Sequence, residues 1–301
     1  MTELTSKEAQ AMYRFFMDSR VEYVDFHDRD NRALTAANSR NIRGFSRLEN
    51  VRIRKFTGNS AKMEEILVPD AREDKYIYYI HGGGFVTGEP AWGYFYAVEV
   101  AKKSRRRMIA IDYRLAPEHP FPAGIEDCVT GYEWMLQNGA RPEDTVFLGE
   151  SAGANLVLAL TAACKQRGIP MPAALTCVSP VVDLSFPFSS FTGRNERECI
   201  LSKNQADDTL ENYLVNGAED DALASPYRAD VTGFPPVYHV VGTEEMLFDD
   251  SIRMHEKLLR AGVDARLTVW EGMFHTFVMM DLPESWQCIG DIAGFFNEVN
   301  G

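Results

Sequence analysis

The sequence predicts an α/β protein with a mostly parallel central sheet of about eight strands, helices on both faces and a helical cap. Two observations support this fold class. Short continuous apolar runs, typical of buried parallel strands, alternate with helical stretches from residue 76 to residue 299. One segment, residues 185–226, interrupts the alternation with too many aromatic and charged residues for a simple crossover, which predicts an insertion above the sheet.

Length, composition and charge bound the class of protein. The 301 residues are 45% apolar and 11% aromatic, which is enough for a substantial core. A net charge of −13 argues against nucleic acid and anionic membrane as main partners, because a negative surface repels phosphate. We interpret the basic run at residues 102–107 as a solvated helix end, where cations complement the helix dipole.

The cysteines and the N-terminus favour a cytoplasmic protein. Five cysteines are widely spaced, and no C-x-x-C pair suggests metal or redox chemistry. The N-terminus lacks an apolar signal region, and no apolar run approaches the roughly 20 residues that cross a bilayer. We therefore expect no signal peptide, no membrane anchor and no metal site.

The elements follow in chain order. The first 45 residues are predicted to be helical, with five apolar residues between positions 12 and 17 concentrated on one side. Alternating residues at 51–56 and 63–69 predict two half-exposed antiparallel strands at one edge of the sheet. The buried parallel strands are predicted at residues 76–80, 108–111, 145–148, 174–178, 237–241 and 267–270. The helices between them are predicted at residues 93–103, 125–137, 152–165, 252–261 and 286–299.

These elements divide the chain into four segments. Residues 1–45 are the N-terminal part of the cap, and residues 46–184 are the first part of the α/β core. Residues 185–226, with a helix predicted at 204–215, are the inserted part of the cap, and residues 227–301 complete the core. Caps of this kind shape a pocket and exclude water.

The pattern G-x-S-x-G at residues 149–153 predicts Ser151 as a nucleophile. An apolar strand precedes it and a helix rich in Ala and Leu follows, which is the context that the motif needs. So sharp a turn strains the serine backbone and requires small neighbours. A serine hydroxyl is a weak nucleophile by itself, so a base, an orienting acid and an oxyanion site must also be found.

A run of glycines supplies the predicted oxyanion site. The sequence H-G-G-G-F at residues 81–85 directly follows a predicted strand. Consecutive glycines let the backbone approach a ligand and leave N–H groups free to face an oxyanion. We predict an oxyanion hole formed by the N–H groups of Gly83, Gly84 and Ala152, and we interpret His81 as a packing and hydrogen-bonding residue of the loop.

His275 is the predicted base among six histidines. It lies in a loop after the last predicted strand and so completes the order serine, acid, histidine that G-x-S-x-G hydrolases use. The other five histidines precede the serine or lie within a predicted strand or helix.

The acid is less sharply defined, because several carboxylates cluster after the strand at 237–241. We interpret Asp249 and Asp250 as caps of the helix that follows them, although Asp249 stays an alternative acid. Of Glu244 and Glu245 we favour Glu245. Asp183, after the preceding strand, is a further alternative.

Several motifs together resemble the hormone-sensitive-lipase-like (bacterial family IV) carboxylesterases of the α/β-hydrolase superfamily. The resemblance rests on residues 81–85, 112–123, 149–156, 224–226 and 272–275 and covers nearly the whole chain. It implies the α/β-hydrolase fold, a cap built from the N-terminal and inserted segments, a cofactor-free serine esterase mechanism and a preference for short or medium acyl chains. Many members have an aspartate where Glu245 stands, and a glutamate reaches about one bond further.

The sequence therefore predicts a serine carboxylesterase that acts on small-molecule esters through a Ser-His-Glu triad. Amide, lactone or carbamate hydrolysis uses the same machinery and stays open, as does a non-catalytic ligand receptor on the same scaffold. Five aromatic side chains are candidates for an apolar substrate pocket: Phe85, Trp92, Phe188, Phe191 and Phe274. The oligomeric state is open between a monomer and a homodimer.

Overall fold

The computed structural model describes residues 5–20, 28, 30–32, 48–215 and 217–300. Its strands are β1 (Arg52–Gly58), β2 (Ala61–Leu67), β3 (Arg72–Ile80), β4 (Arg106–Asp112), β5 (Thr145–Glu150), β6 (Ala174–Val178), β7 (Val237–Gly242) and β8 (Ala265–Trp270). Its helices are α1 (Lys7–Ser19), α2 (Tyr94–Ser104), α3 (Ala123–Gln137), α4 (Ala152–Arg167), α5 (Ser189–Gly193), α6 (Lys203–Tyr213), α7 (Phe248–Arg260) and α8 (Pro283–Asn300).

The eight strands form one sheet in the order β1-β2-β4-β3-β5-β6-β7-β8. Strands β1 and β2 pair antiparallel, β2 also runs antiparallel to β4, and every other pair is parallel. The predicted antiparallel edge and parallel centre are confirmed. Strand β5 lies between β3 and β6, so residues that follow its carboxyl end lie near the middle of the sheet.

Two apolar layers cover the sheet. On one face Ile125, Leu158 and Met254, from α3, α4 and α7, belong to the core. On the other face Phe95 and Ile292, from α2 and α8, belong to a second core layer. Burying each such side chain stabilises the fold by roughly 1.5–3 kcal/mol. Helices on both faces confirm the predicted α/β class.

Helix α4 is enclosed on all sides. Every residue from 152 to 164 is buried, and an enclosed helix needs small or apolar residues around its whole circumference. The helix follows β5 after a single residue, Ser151. Its buried N-terminus therefore faces the carboxyl edge of the sheet, where the ligand sites of α/β sheets occur.

Strand β8 corrects one prediction. Residues 267–270 were expected to form a buried strand, but β8 is the edge strand and pairs only with β7. Its residues are half-buried or exposed, and Val269 is 42% exposed. A continuous apolar run identifies the strand but not its place in the sheet, and an edge strand has no neighbour on one side.

Helices α5 and α6 lie within the predicted insertion, and α6 packs on the core. The ring of Tyr213 in α6 stacks on Phe85 with centroids 4.0 Å apart, and Tyr213 O accepts a hydrogen bond from Phe121 N. Of the predicted N-terminal segment, residues 1–4, 21–27, 29 and 33–45 lie outside the described residues. In α1 Phe16 is buried, whereas Phe15 is 53% exposed and does not share the apolar side predicted for it.

None of the helices in the described ranges has the length and apolar character that a membrane span requires.

Candidate active site

Ser151 occupies a sharp turn between β5 and α4. Its backbone has φ 54° and ψ −123°, a strained conformation for a residue with a side chain, and such strain collects at functional sites. Ser151 N donates a hydrogen bond to Val178 O (2.9 Å), which fixes the turn against β6. A Cβ added at Gly153 would lie 2.1 Å from Ile80 O, so the close approach of α4 to β3 excludes any side chain at that position.

The structure brings Ser151, His275 and Glu245 together. His275 Nε2 lies 2.9 Å from Ser151 Oγ, and His275 Nδ1 lies 3.1 Å from Glu245 Oε2. Both His275 and Glu245 are buried. If Nδ1–H donates to the carboxylate, Nε2 is free to accept the proton of the serine, which is the arrangement of a nucleophile with its base and orienting acid.

Glu245 is held by two further donors. Gly242 N donates to its Oε1 at 2.6 Å, and Ser179 Oγ donates to the same oxygen at 2.9 Å. Ser179 Oγ also accepts a hydrogen bond from Thr276 N (3.2 Å), so one hydroxyl joins the acid to the loop that carries the base. The role of Ser179 was not predicted from the sequence. Ser179 directly follows β6, and Ser151 directly follows β5, so both lie at the carboxyl edge of the sheet. This position is the sequence feature that could have identified Ser179.

The alternative acids have other partners. Asp183 accepts hydrogen bonds from Ser185 N (3.0 Å) and Ser185 Oγ (2.6 Å). Glu244 forms a two-pronged ion pair with Arg197, at 2.8 and 2.6 Å. Neither of these carboxylates is bonded to the imidazole of His275.

Asp249 and Asp250 do not cap α7, which corrects their interpretation. The helix begins at Phe248, so both lie inside its first turn, where negative charge suits the helix dipole. Asp249 accepts a hydrogen bond from Ser190 N (2.9 Å), and Asp250 accepts one from Val182 N (2.8 Å). The bond to Val182 N joins α7 to the segment after β6, and α7 has no side-chain cap. Burial raises the pKa of Asp250 well above its ordinary value.

The glycine loop lies beside Ser151 and is tied to β5 by Glu150. The Glu150 carboxylate accepts hydrogen bonds from Gly82 N (2.8 Å), Tyr79 Oη (3.0 Å) and Tyr96 Oη (2.6 Å). Burial and this carboxylate raise the pKa of the Tyr96 hydroxyl, which therefore stays a donor. Glu150 occupies the second position of G-x-S-x-G, and its supporting role was not predicted.

Gly83, Gly84 and Ala152 line the same cavity as Ser151. Gly83 has φ +116°, and a Cβ there would lie 2.0 Å from Thr87 O, so the bend of the loop requires glycine. His81 is buried, stacks on Tyr113 with centroids 4.3 Å apart and has Nδ1 2.7 Å from Gly82 O. These contacts agree with the interpretation of His81 as a packing and hydrogen-bonding residue of the loop.

A cavity of about 240 Å³ opens over Ser151. Of the aromatic residues predicted to line it, Phe85, Trp92 and Phe191 do so. Further residues of the predicted insertion also line the cavity, although the sequence did not identify them as pocket residues: Ile200, Leu201, Gln205, Ala206, Thr209 and Leu210.

Phe188 and Phe274 lie outside this lining, which corrects their assignment. Phe274 is fully buried and packs edge-on against Phe16 of α1, with centroids 5.6 Å apart. Phe188 packs edge-on against Tyr227 at 5.2 Å. Their nearness in sequence to His275 and Phe191 did not reveal these directions, because neighbouring side chains in a loop can face opposite sides.

The described ranges contain no group of three or more His, Cys, Asp or Glu side chains that could hold a metal ion. The five cysteines are buried and free. Burial raises the pKa of the Cys177 and Cys288 thiols, which keeps them protonated.

Comparison with known proteins identifies similar chains. Residues 77–279 match a family model described as alpha/beta hydrolase fold. An acetyl-hydrolase of Streptomyces hygroscopicus is 36% identical over 232 residues, which cover 76% of this chain and 77% of the relative. The crystal structure of an esterase from the bacterial hormone-sensitive lipase family superposes with a TM-score of 0.92 at 32% identity and covers all of both chains. A crystal structure of the esterase EstE5, soaked with p-nitrophenyl butyrate, has a TM-score of 0.90 at 30% identity and covers 97% of this chain and 98% of its own.

Proposed function

The chain belongs to the α/β-hydrolase fold family and is a serine ester hydrolase similar to bacterial hormone-sensitive-lipase esterases, and we propose that Ser151, His275 and Glu245 are its catalytic triad. The observation that carries the proposal is the unbroken contact from Glu245 Oε2 to His275 Nδ1 (3.1 Å) and from His275 Nε2 to Ser151 Oγ (2.9 Å). Such a chain of contacts is what converts a weak hydroxyl into a nucleophile.

Hydrolysis proceeds in two steps. His275 Nε2 takes the proton of Ser151 as Oγ attacks the ester carbonyl, and the tetrahedral intermediate then breaks its bond to the alcohol oxygen, which leaves with that proton. His275 next takes a proton from water, the hydroxide attacks the acyl-enzyme, and the bond to Ser151 Oγ breaks as His275 returns the proton. Glu245 stabilises the imidazolium that forms in each step.

The N–H groups of Gly83, Gly84 and Ala152 form the proposed oxyanion hole. The buried N-terminus of α4 adds its positive dipole end at the same place. Removing one donor from such a site costs about 10²–10³ in kcat in enzymes of this type. Glu150 holds the glycine loop at Gly82. Backbone donors that are held in this way need no reorganisation when the carbonyl oxygen becomes negative.

Esters with short or medium acyl chains are the proposed substrates. The cavity of about 240 Å³ is smaller than the roughly 300–1,000 Å³ of pockets for drug-sized ligands, and most of its lining is apolar. Leu201, Gln205 and Thr209 contribute to this lining, which supports residues 185–226 as the inserted part of a cap. Because the related EstE5 was soaked with p-nitrophenyl butyrate, that ester is a suitable probe.

Replacement of the nucleophile tests the function. We expect Ser151→Ala to lower kcat for p-nitrophenyl butyrate by about 10⁴-fold or more, without a change in Tm beyond a few degrees. Ser185→Ala is the matched control, because Ser185 lies outside the cavity lining and bonds to Asp183. Release of p-nitrophenol at the wild-type rate by Ser151→Ala would contradict the proposal.

A further inference from the structure

Residues 194–198, which we call the clamp segment, contact the loop that carries Glu245. The guanidinium of Arg194 donates a hydrogen bond to Thr243 O and lies 3.8 Å from the centroid of the Phe248 ring. Arg197 forms the two-pronged ion pair with Glu244. The clamp segment therefore engages this loop on both sides of Glu245.

The third contact of the clamp segment comes from a buried carboxylate. Glu198 is fully buried, and its Oε2 accepts a hydrogen bond from Met246 N at 3.1 Å. Its Oε1 accepts hydrogen bonds from Ile200 N (2.8 Å) and Leu201 N (3.3 Å). A single carboxylate thus joins the backbone of the insertion to the backbone next to Glu245.

The charges of His275 and Glu245 both act on the Glu198 carboxyl group. Burial raises the pKa of Glu198, a positive charge on His275 lowers it and the charge of Glu245 raises it. The N–H groups of Ile200 and Met246 lower the same pKa, because they favour the ionised form. A carboxylate in this place can therefore influence both members of the acid–base pair.

The clamp segment is anchored from behind by the N-terminal residues. Arg20 Nη1 donates hydrogen bonds to Asn195 O (2.6 Å) and Glu198 O (2.8 Å), and Tyr13 Oη donates to Arg197 O (2.7 Å). These bonds fix the backbone of the clamp segment. The Glu198 side chain, which accepts the hydrogen bond from Met246 N, can therefore fix the position of Met246 in turn.

We propose that Glu198 is a positioning residue for hydrolysis, which holds the backbone at Met246 so that the Glu245 carboxylate stays within hydrogen-bond distance of His275 Nδ1. This inference rests on the proposed role of Glu245 in the triad. A catalytic group must be held within about 0.5 Å of its productive position, and a displacement of about 1 Å can cost about 10²-fold in rate. The backbone bond to Met246 restrains the loop at the residue that follows the acid.

The test is Glu198→Gln with p-nitrophenyl butyrate. The amide keeps the size of the side chain but presents an NH₂ group to Met246 N–H or to the N–H groups of Ile200 and Leu201, so that donor faces donor. We expect kcat to fall about 10- to 100-fold while KM changes less than about threefold. The downfield proton resonance of the His275 Nδ1–H hydrogen bond should shift or broaden at a temperature where circular dichroism shows a folded protein.

Two further variants separate positioning from stability. Glu198→Asp keeps the carboxyl group but shortens the reach, so its kcat should fall between those of the wild type and Glu198→Gln, at unchanged KM. Asp144→Asn is the matched control: Asp144 is also buried, but it lies before β5, at the edge of the sheet opposite Ser151, and pairs with Lys75 (2.7 Å). It should lower Tm and leave kcat within about twofold.

The outcomes distinguish this inference from the proposed function. Wild-type kcat in Glu198→Gln would overturn the inference. A lowered Tm with kcat within about twofold and an unchanged proton resonance, the result expected of Asp144→Asn, would overturn it as well. If Glu198→Gln does not fold, wild-type kcat in Glu198→Asp has the same meaning. Turnover by Ser151→Ala at the wild-type rate would instead refute the proposed function, whatever the Glu198 variants do.

Discussion

The two sides of Ser151 are each supported by a buried carboxylate, but the carboxylates come from different parts of the chain. On the oxyanion side, Glu150 of β5 bonds to Gly82 N and to the hydroxyls of Tyr79 and Tyr96. Glu150 and Tyr79 belong to the sheet, Tyr96 belongs to α2, and Gly82 lies in the loop that directly follows β3, so the α/β core supports this side by itself.

On the acid side, Glu198 comes from the predicted insertion. It reaches Met246 across 48 residues of chain, and the loop that it contacts carries Glu245. The difference teaches that the core can fix an oxyanion loop with its own strands, whereas the proposed triad acid is held by Gly242 N and Ser179 Oγ of the core and, by our inference, also through a segment above the sheet. Substitution of Glu150 should therefore affect the oxyanion loop, and substitution of Glu198 should affect the position of Glu245, each without the other.

The largest effect should come from the acid itself. Glu245→Gln keeps the geometry but presents an amide to His275, which disfavours the productive tautomer and leaves the imidazolium unpaired, so we expect kcat to fall about 10³–10⁴-fold. Asp183→Asn is the matched control and should change kcat less than about threefold. Steady-state hydrolysis of p-nitrophenyl butyrate measures both, and the reverse order would make Asp183 the acid.

A smaller loss should follow on the oxyanion side. Glu150→Gln keeps the shape of the side chain but places an NH₂ group among three donors, which should displace Gly82 and lower kcat about 10²-fold. Tyr96→Phe removes only one of those donors and should cost about tenfold or less. If Glu150→Gln had wild-type kcat, the oxyanion loop would not depend on this carboxylate and the comparison between the two sides would fail.

The smallest expected effect concerns stability. His239 is fully buried in β7, the strand that leads to Glu245, and burial together with neighbouring His255 lowers the pKa of His239 to about 3. As the pH falls below its ordinary pKa of 6.5, the unfolded chain binds a proton that the folded chain does not, so stability is present above pH 6.5 and lost below it. The loss amounts to about 2 kcal/mol between pH 7 and pH 5.

Replacing His239 by leucine removes this proton uptake. Urea denaturation at pH 7, 6 and 5 should show that the free energy of unfolding of His239→Leu falls less steeply with pH than that of the wild type. Equal pH dependence in the two proteins would mean that the pKa of His239 is not lowered by folding, which would contradict the prediction.

Local constraints explain how much could be predicted. The turn at Ser151 follows from short-range geometry, since a side chain at Gly149 would lie 2.6 Å from Gly153 O, and such constraints leave a readable motif. The order of parallel and antiparallel strands was also predictable, because two-sided burial and alternation give different patterns. The chain order serine, acid, histidine of G-x-S-x-G hydrolases led to His275, and the resemblance to a known family added the expectation of a two-part cap.

Tertiary contacts explain what was missed. Ser179 supports Glu245 across 66 residues of chain, and no spacing rule links the two. The exposure of β8 depends on its having one neighbouring strand, which an apolar run cannot reveal. Phe274 was predicted as a candidate for the pocket, but the direction of its ring depends on how α1 packs against it.

Covalent labelling of Ser151 tests the central claim most directly. A fluorophosphonate probe needs an activated serine with its base and oxyanion donors in place, so wild-type protein should gain one adduct per chain by intact mass, with the modified peptide containing Ser151. Ser151→Ala should gain none, and His275→Ala should react far more slowly. An adduct on another residue, or equal labelling of Ser151→Ala, would contradict the account.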